Sequence, residues 1–492
     1  MQPNSFYWID YETFGADPRV DRPSQFAGLR TDSQLNVIDD PLVLFCQQAN
    51  DYLPHPEACL ITGITPQIAN QKGVCESDFI QSIQTELQVP GTCTVGYNNI
   101  RFDDEITRHS LYRNLLDPYA HEWRNNNSRW DLIDVMRLMC ALRPEGIKWP
   151  HDENGNPVFR LEKLTEANAI EHGKAHDALA DVEATIALAR LVQKAQPKLF
   201  RYCVEHRIKS NIFPLLNVTD MAAVLHVSSR YSASRHCIAM IAPIVAHPVN
   251  KNGIIVYDLA VNPEPLIELD ADAIAERLFT HAVKLPESVE RIALKTVHAN
   301  KCPIVAPVTA LREQDAVRLN IDQAVCDKHL AMLKSQQSQI QKKLLEVFRE
   351  DSVQQSSDPD YMLYSGGFIG DRDKNFLRKL HTIPINELVD FTPAFQDQRL
   401  SEMLFRYRAR NYPETLTADE QLRWDRFRSN RLKNPEAGAG LSFLAYQSVL
   451  KELNQRETDS HLNQKILEEL ENYANTLVGG IAEDFSQDGG NS

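Results

Sequence analysis

Residues 7–15 read "YWIDYETFG", an apolar run that ends in two carboxylates one residue apart, Asp10 and Glu12. Alternate residues of a strand project from one face, so both acids stand side by side at its end. Like charges so placed repel, and a hard cation is the group that relieves them. A second acidic cluster lies in "GYNNIRFDDEITRH", where Asp103, Asp104 and Glu105 open an amphipathic helix. Acids in a first helical turn favour the macrodipole, but three in a row exceed what capping needs. The third cluster is "KAHDALADVEAT", with His176 before a helix and Asp181 five positions later. Asp177 suits the N-terminal cap and shares a helix face with Asp181. Each cluster alone has an ordinary structural explanation. Their succession, D-x-E then D then H-x-x-x-x-D on strand, helix and helix, does not.

The elements that must position these groups fall into three textures. The chain has 492 residues, 43% hydrophobic and 24% charged, a folded composition with length for about three domains at roughly 150 residues each. Residues 1–196 alternate strand-like runs ("PLVLFC", "TCTVGYNN") with helical periods ("VCESDFIQSIQTELQ", "HDALADVEATIALARLVQKA"), which predicts an α/β layer architecture. Residues 197–351 begin strand-like, in "VLHVSSRYSASRHCIAMIAP" and "NGIIVYDLA", with "HPVNKNG" as a hairpin turn. A small barrel or twisted sheet is expected there, closed by a helical stretch over 326–351. The polar run "SVQQSSDPD", residues 352–360, reads as a linker. Residues 361–484 are dominated by helix formers, and the tail 485–492 should be disordered.

Composition restricts the function classes. A net charge of -15 disfavours a non-specific nucleic-acid coat and requires any nucleic-acid contact to run along a local basic groove. The 9 cysteines are scattered without a C-x-x-C pair, which points to a reducing compartment, the cytoplasm. The longest apolar stretch, "CIAMIAPIVA", is too short for a bilayer, which takes about 20 residues, and no signal peptide is expected before the first strand. In "MLFRYRARNYPETL", Arg406, Arg408 and Arg410 are interleaved with Tyr407 and Tyr412. Guanidinium and aromatic groups in alternation suit a single nucleic-acid strand. A helix C-terminus with cations on its dipole, before Pro413, explains them equally.

The order of the three acidic clusters resembles the DEDD exonuclease superfamily, and His176 places it in the histidine subgroup. Within it, "DYETFGADPRVDRPSQFAGLRTD", "GYNNIRFDDE", "ALRPEGIKWP", "FRLEKLTEAN", "AHDALADVEATIA", "VHANKCPI" and "YRARNYPETL" are similar to the bacterial exodeoxyribonuclease I family from residue 6 to about 475. The resemblance implies a ribonuclease H-like exonuclease domain, a small SH3-like β-barrel-type domain and an α-helical C-terminal domain. It implies a monomer that digests single-stranded DNA processively from its 3′ end, with two Mg²⁺ ions or Mn²⁺ as substitute. By resemblance Asp10 bridges both ions, Glu12 and Asp181 hold the one that activates water, Asp103 holds the other, and His176 takes the proton. Glu12, Thr13 and Phe14 would contact the terminal nucleotide, with Gly15 allowing its close approach. Arg160 and Lys163 would meet phosphate or simply face solvent, and Arg408 and Arg410 would follow the strand. Arg143, Tyr202 and Arg312 match positions that bind the acidic C-terminal tail of the single-stranded-DNA-binding protein. The rival readings are a 3′→5′ exoribonuclease with the same residues, and a scaffold built on an inactive nuclease fold.

Overall fold

The computed structural model describes residues 3–173, 176–281, 284–286, 289–349, 356–437, 440–458 and 460–479. The expected tail, 485–492, and residues 352–355 of the expected linker lie outside them.

Strand β1 (Ser5–Thr13) is the centre of a mixed five-stranded sheet. β2 (Pro23–Thr31) runs antiparallel to it and β3 (Leu42–Phe45) antiparallel to β2. On the other side β4 (Thr92–Gly96) and β5 (Ser128–Asp131) run parallel, giving the order β3-β2-β1-β4-β5. β1 is apolar on both faces because both are covered. Phe6 and Trp8 pack with Val182, Ile186 and Ala189 of the Ala178–Ala195 helix. Tyr7, Ile9 and Tyr11 pack on Phe79, Ile80 and Ile83 of the Glu76–Leu87 helix and on Ile106. Asp10 and Glu12 continue the first of these faces, so the strand's pleat turns them toward the helix that carries Asp181.

The second sheet is antiparallel throughout: β6 (Val224–Val227), β7 (Ile238–Ala246), β8 (Gly253–Asp258), β9 (Leu294–His298) and β10 (Val305–Pro307), in the order β10-β6-β7-β8-β9. The expected hairpin turn joins β7 to β8. The helical stretch expected over 326–351 is interrupted at Gln336, whose φ of -118 and ψ of 19 leave the helical region, so two helices form, Gln323–Ser335 and Gln337–Val347. One apolar core runs through this sheet and the nuclease sheet together. Phe200, on the Pro197–Glu205 helix, lies with its ring 5.3 Å from that of Trp130 on β5. The change of texture near residue 196 is therefore not a break in packing.

Five helices make up most of the remainder: Asp371–Leu380, Gln398–Asn411, Ala418–Lys433, Phe443–Arg456 and His461–Gly479. The last two bury Leu450, Leu453, Leu467 and Leu470 against Phe14, Tyr52 and Cys59 of the nuclease domain. The linker reading of 352–360 needs correction at its described end. Asp360 is 2% exposed and pairs with Arg406 and Arg410, while Asp358 meets Arg406 and Arg431. A polar stretch reads as a free connection until its acids find buried guanidinium groups.

Candidate active site

Asp103 begins the Asp103–Arg113 helix, and its Oδ1 accepts the backbone N–H of Tyr11 at 3.1 Å. That bond places the Asp103 carboxylate against β1 between Asp10 and Glu12. The three neighbouring acids of this helix divide their work. Asp104 turns away to Arg129, 2.6 Å from its Nη1, and Glu105 pairs with Arg108 at 2.7 Å and accepts from the Tyr364 hydroxyl. The loop before them is fastened by Asp131 at the end of β5, which accepts from the backbone N–H groups of Asn98, Ile100 and Ile133.

The third acid arrives on the Ala178–Ala195 helix. Asp177 caps it, accepting from Ala180 N–H. Gln25, directly across from Glu12 in the β1–β2 register, donates to the Asp177 carboxylate at 3.5 Å and accepts from Ala178 N–H at 3.4 Å. The helix start is thereby tied to the strand pair that carries Glu12. His176 stands just before the cap with φ of 64, in the left-handed region, an uncommon conformation for a residue with a side chain and one that clusters at functional sites. Potential ligand atoms of Glu12, His176 and Asp181 all lie within 4.8 Å of one another.

Electrostatics separate this cluster from an ordinary acidic edge. Burial first, then repulsion from Asp103, Glu12 and Asp181, holds the Asp10 carboxyl well above the usual carboxylate range. Burial together with Asp181 and Asp103 pushes Glu12 up to about 8, and burial together with Asp104 pushes Asp103 up to about 8. Asp181 is also raised by burial, an effect opposed by His172 and His176. Four carboxylates in mutual repulsion, Glu12 and Asp103 buried and Asp10 and Asp181 half-buried, either bind protons or bind cations. The donor set, all oxygen with one imidazole at its edge, fits hard divalent ions.

His172 is a member of the site that the sequence reading missed. Its Nε2 lies 2.5 Å from Asp181 Oδ1, and its Nδ1 lies 3.1 Å from Thr165 Oγ1. Thr165 Oγ1 also lies 3.0 Å from the carbonyls of Leu161 and Glu162, so His172 ties Asp181 to the start of the Leu161–Ala167 helix. The signal was the first histidine of "EHGKAH", four residues before His176. Gln25 carried no signal without the strand register.

Several expected contacts are placed elsewhere. Phe14 is 1% exposed, with its ring in the seam against the C-terminal helices, so it offers no face to a base. The room that Gly15 leaves is taken by Asp21, whose carboxylate would lie 2.1 Å from an added Cβ. Thr13 is buried and donates to Gly15 O at 2.6 Å. Arg408 is buried against Glu420 and Thr415. Arg410 is buried between Asp51, at 2.8 Å, and Asp360, at 2.6 Å. Both arginines fasten the helical domain rather than present charge to a strand, because fixed carboxylates already occupy them. Arg160 and Lys163 are exposed. Arg143 and Arg312 come together around Asp315, at 3.6 and 2.5 Å, with Arg318 on the same carboxylate. Tyr202 donates to Val305 O and stacks on His206.

A ribonuclease H-type sheet, with a D-x-E pair on its central strand, a third acid on one helix and an H-x-x-x-x-D pair on another, defines a metal-dependent exonuclease domain. Residues 7–189 match the family model described as Exonuclease, 207–350 the Exonuclease I SH3-like domain, and 357–477 the Exonuclease I C-terminal domain. Exodeoxyribonuclease I of Escherichia coli is 46% identical over 480 residues, 97% of this chain and 99% of its own length. The structure of an Exonuclease I from Methylocaldum szegediense is 54% identical with a TM-score of 0.93, covering 96% of this chain and 99% of that one. The Escherichia coli enzyme in complex with a dA16 oligonucleotide has a TM-score of 0.93 at 44% identity, over 96% of this chain and 100% of that one. The chain belongs to the exodeoxyribonuclease I family.

Proposed function

We propose that this chain removes mononucleotides from the 3′ end of single-stranded DNA, with Asp10, Glu12, Asp103 and Asp181 holding two Mg²⁺ ions, for which Mn²⁺ can substitute. The observation that carries the reading is the convergence of these four buried or half-buried, mutually repelling carboxylates at the end of β1. Such ions, when bound, make water nucleophilic at neutral pH and stabilise the charge that builds at phosphorus. Asp10 and Glu12 share one strand face and supply the core of the donor set. Asp103, fixed by Tyr11 N–H, closes one side of it, and Asp181, fixed by His172, closes the other. His176, beside Glu12 and Asp181 and open to solvent, takes the proton of the attacking water.

Single-stranded DNA as substrate is supported by the Escherichia coli relative, which has been solved with dA16 and, in another structure, with zinc and single-stranded DNA. The exoribonuclease reading has one observation in its favour. An oligoribonuclease of Nitrosomonas europaea is 30% identical over 152 residues, but these are only 29% of this chain. The similarity stops within the nuclease part and leaves the two domains that would guide a strand unexplained. We divide the work accordingly: residues 1–196 cleave, while 197–351 and 361–484 guide the strand. Arg143 and Arg312, converging on Asp315, with Tyr202, are our candidates for binding the acidic C-terminal tail of a single-stranded-DNA-binding protein. A structure containing SSB and Exonuclease I supports that pairing. We place the chain as a monomer in the cytoplasm, in keeping with its nine free, mostly buried cysteines.

The test uses 5′-labelled DNA and RNA oligonucleotides with Mg²⁺ or with chelator. The DNA should shorten from its 3′ end only when metal is present. Equal degradation of RNA would transfer the chain to the exoribonuclease reading, and cleavage in chelator would remove the metal from it.

A further inference from the structure

The face of β2 that lies under the Ala178–Ala195 helix ends in a polar side chain where that helix begins. Ala27 and Leu29 share one core with Ala178 and Val182, and Gln25 is the next residue on their face, 3% exposed. A carboxamide buried there is costly unless both its ends find partners. A backbone N–H can only donate, so Oε1 must face Ala178 N–H, and this turns Nε2 onto Asp177 Oδ2, at 3.4 and 3.5 Å. The first N–H groups of a helix have no partner within it. Here two side chains serve them, Asp177 for Ala180 and Gln25 for Ala178. Gln25 arrives from another element, so the helix start is fixed in place as well as capped. The β1–β2 register shifts just past the Glu12–Gln25 pair, where Thr13 faces Pro23 and Ser24 is left over, and such a bulge re-aims the side chains beside it.

His176 is the residue this arrangement governs. It stands one position before Asp177 with φ of 64, and it is exposed, so packing does not hold its side chain. A left-handed residue with a side chain persists only where its surroundings over-determine it. On the helix side those surroundings are Asp177 and Gln25. The acids are secured by other means: Glu12 by the β1–β2 ladder, Asp103 by Tyr11 N–H and Asp181 by His172. We propose that Gln25 is a positioning residue for His176, keeping the imidazole within reach of Glu12 and Asp181 by fixing Asp177. The proposal rests on the exonuclease reading above, in which His176 takes the proton of water.

The experiment measures turnover of an oligothymidylate by the full chain at saturating strand and Mg²⁺, together with Mn²⁺ affinity by calorimetry and strand affinity in chelator. Gln25→Leu removes both hydrogen bonds at similar volume. It should lower turnover by about 10²-fold, the cost of misplacing a reacting group by about 1 Å, while both affinities match wild type. In the His176→Ala background Gln25→Leu should lower turnover no further, because a residue that acts through another has no effect once the other is gone. Gln25→Glu sets a carboxylate against Asp177 and should lose turnover too. Adding Asp177→Asn should restore it, since the new amide can donate to the new carboxylate and still cap the helix. If Gln25→Leu does not fold, Gln25→Glu with and without Asp177→Asn decides the question. Wild-type turnover in Gln25→Leu, an equal loss in the His176→Ala background, or no recovery in the reversed pair would overturn the proposal. So would a loss of Mn²⁺ affinity that matches the loss of turnover, which would place the effect on Asp181. A His176→Ala chain that cleaves as fast as wild type would remove the reading beneath the proposal as well.

Discussion

At the end of β1, Asp10, Glu12, Asp103 and Asp181 are crowded with only histidines close by, whereas at the seam with the helical domain Asp51, Asp358 and Asp360 meet Arg406, Arg410 and Arg431. Both groups are buried or half-buried, yet their proton affinities move in opposite directions. At the seam the arginines overcome desolvation and bring Asp51 down to about 2, with Asp360 lower still. At the strand end no arginine or lysine among the described residues answers the acids, and they rise. Burial of carboxylates does not by itself make a site. The charge left unbalanced does.

Breaking the comparison on its unbalanced side should give the largest effect. Asp10→Ala should abolish cleavage of oligothymidylate at saturating Mg²⁺ without lowering the melting temperature of the metal-free chain, since one repelling charge is gone. Measurable turnover would show that these acids are not the metal site. His176→Ala should keep affinity for the strand and lose about 10²–10⁴-fold in turnover, the usual contribution of a general base. A turnover number equal to wild type would make His176 a bystander.

On the balanced side the effect should appear in stability. Arg410→Ala leaves Asp51 and Asp360 short of a partner, and breaking a buried pair in this way costs about 3–5 kcal/mol. Denaturant unfolding measures it. A loss no greater than that of an exposed pair, about 1 kcal/mol or less, would mean that water replaces the guanidinium. The smallest change concerns His172, which touches Asp181 and not the substrate. His172→Ala should weaken metal affinity by about 10–100-fold, the range for groups that orient ligands. Calorimetric titration of Mn²⁺ into both proteins checks this, and identical isotherms would reduce the Thr165–His172–Asp181 chain to packing.

The two regions were unequally legible in the sequence. The acidic cluster could be read because strand alternation and helix spacing fix which residues share a face, and D-x-E, D and H-x-x-x-x-D obey those local rules. The α/β layering of residues 1–196 and the hairpin at 247–253 followed from the same periodicities, while the mixed strand directions did not. Arg408 and Arg410 misled because a guanidinium in a helical run looks the same whether it meets solvent or an aspartate hundreds of residues earlier in the chain; Asp51 is 359 positions from Arg410. Phe14 and Gly15 misled similarly, since only the docked helical domain and the turn at Asp21 show what fills the space beside them. Gln25 depends on strand register and His172 on the fold of a loop, neither of which a linear pattern contains.

The central claim is that the acids of β1 and its neighbours are balanced by a divalent cation and, among the described residues, by no arginine or lysine. Glu12 and Asp103 are raised to about 8 in the folded chain, against about 4 when unfolded. Between those values the folded state holds more protons than the unfolded state, so the stability of the metal-free protein must fall as pH rises through that window. Melting temperatures taken in chelator from about pH 5 to pH 9, and again with saturating Mg²⁺, test this directly for wild type and Asp10→Asn. The metal-free wild type should lose stability toward high pH, Mg²⁺ should restore it most where the loss is greatest, and Asp10→Asn should respond less to both. A metal-free profile that is level or rises over that range, or an Mg²⁺ effect equal in the variant, would contradict the account.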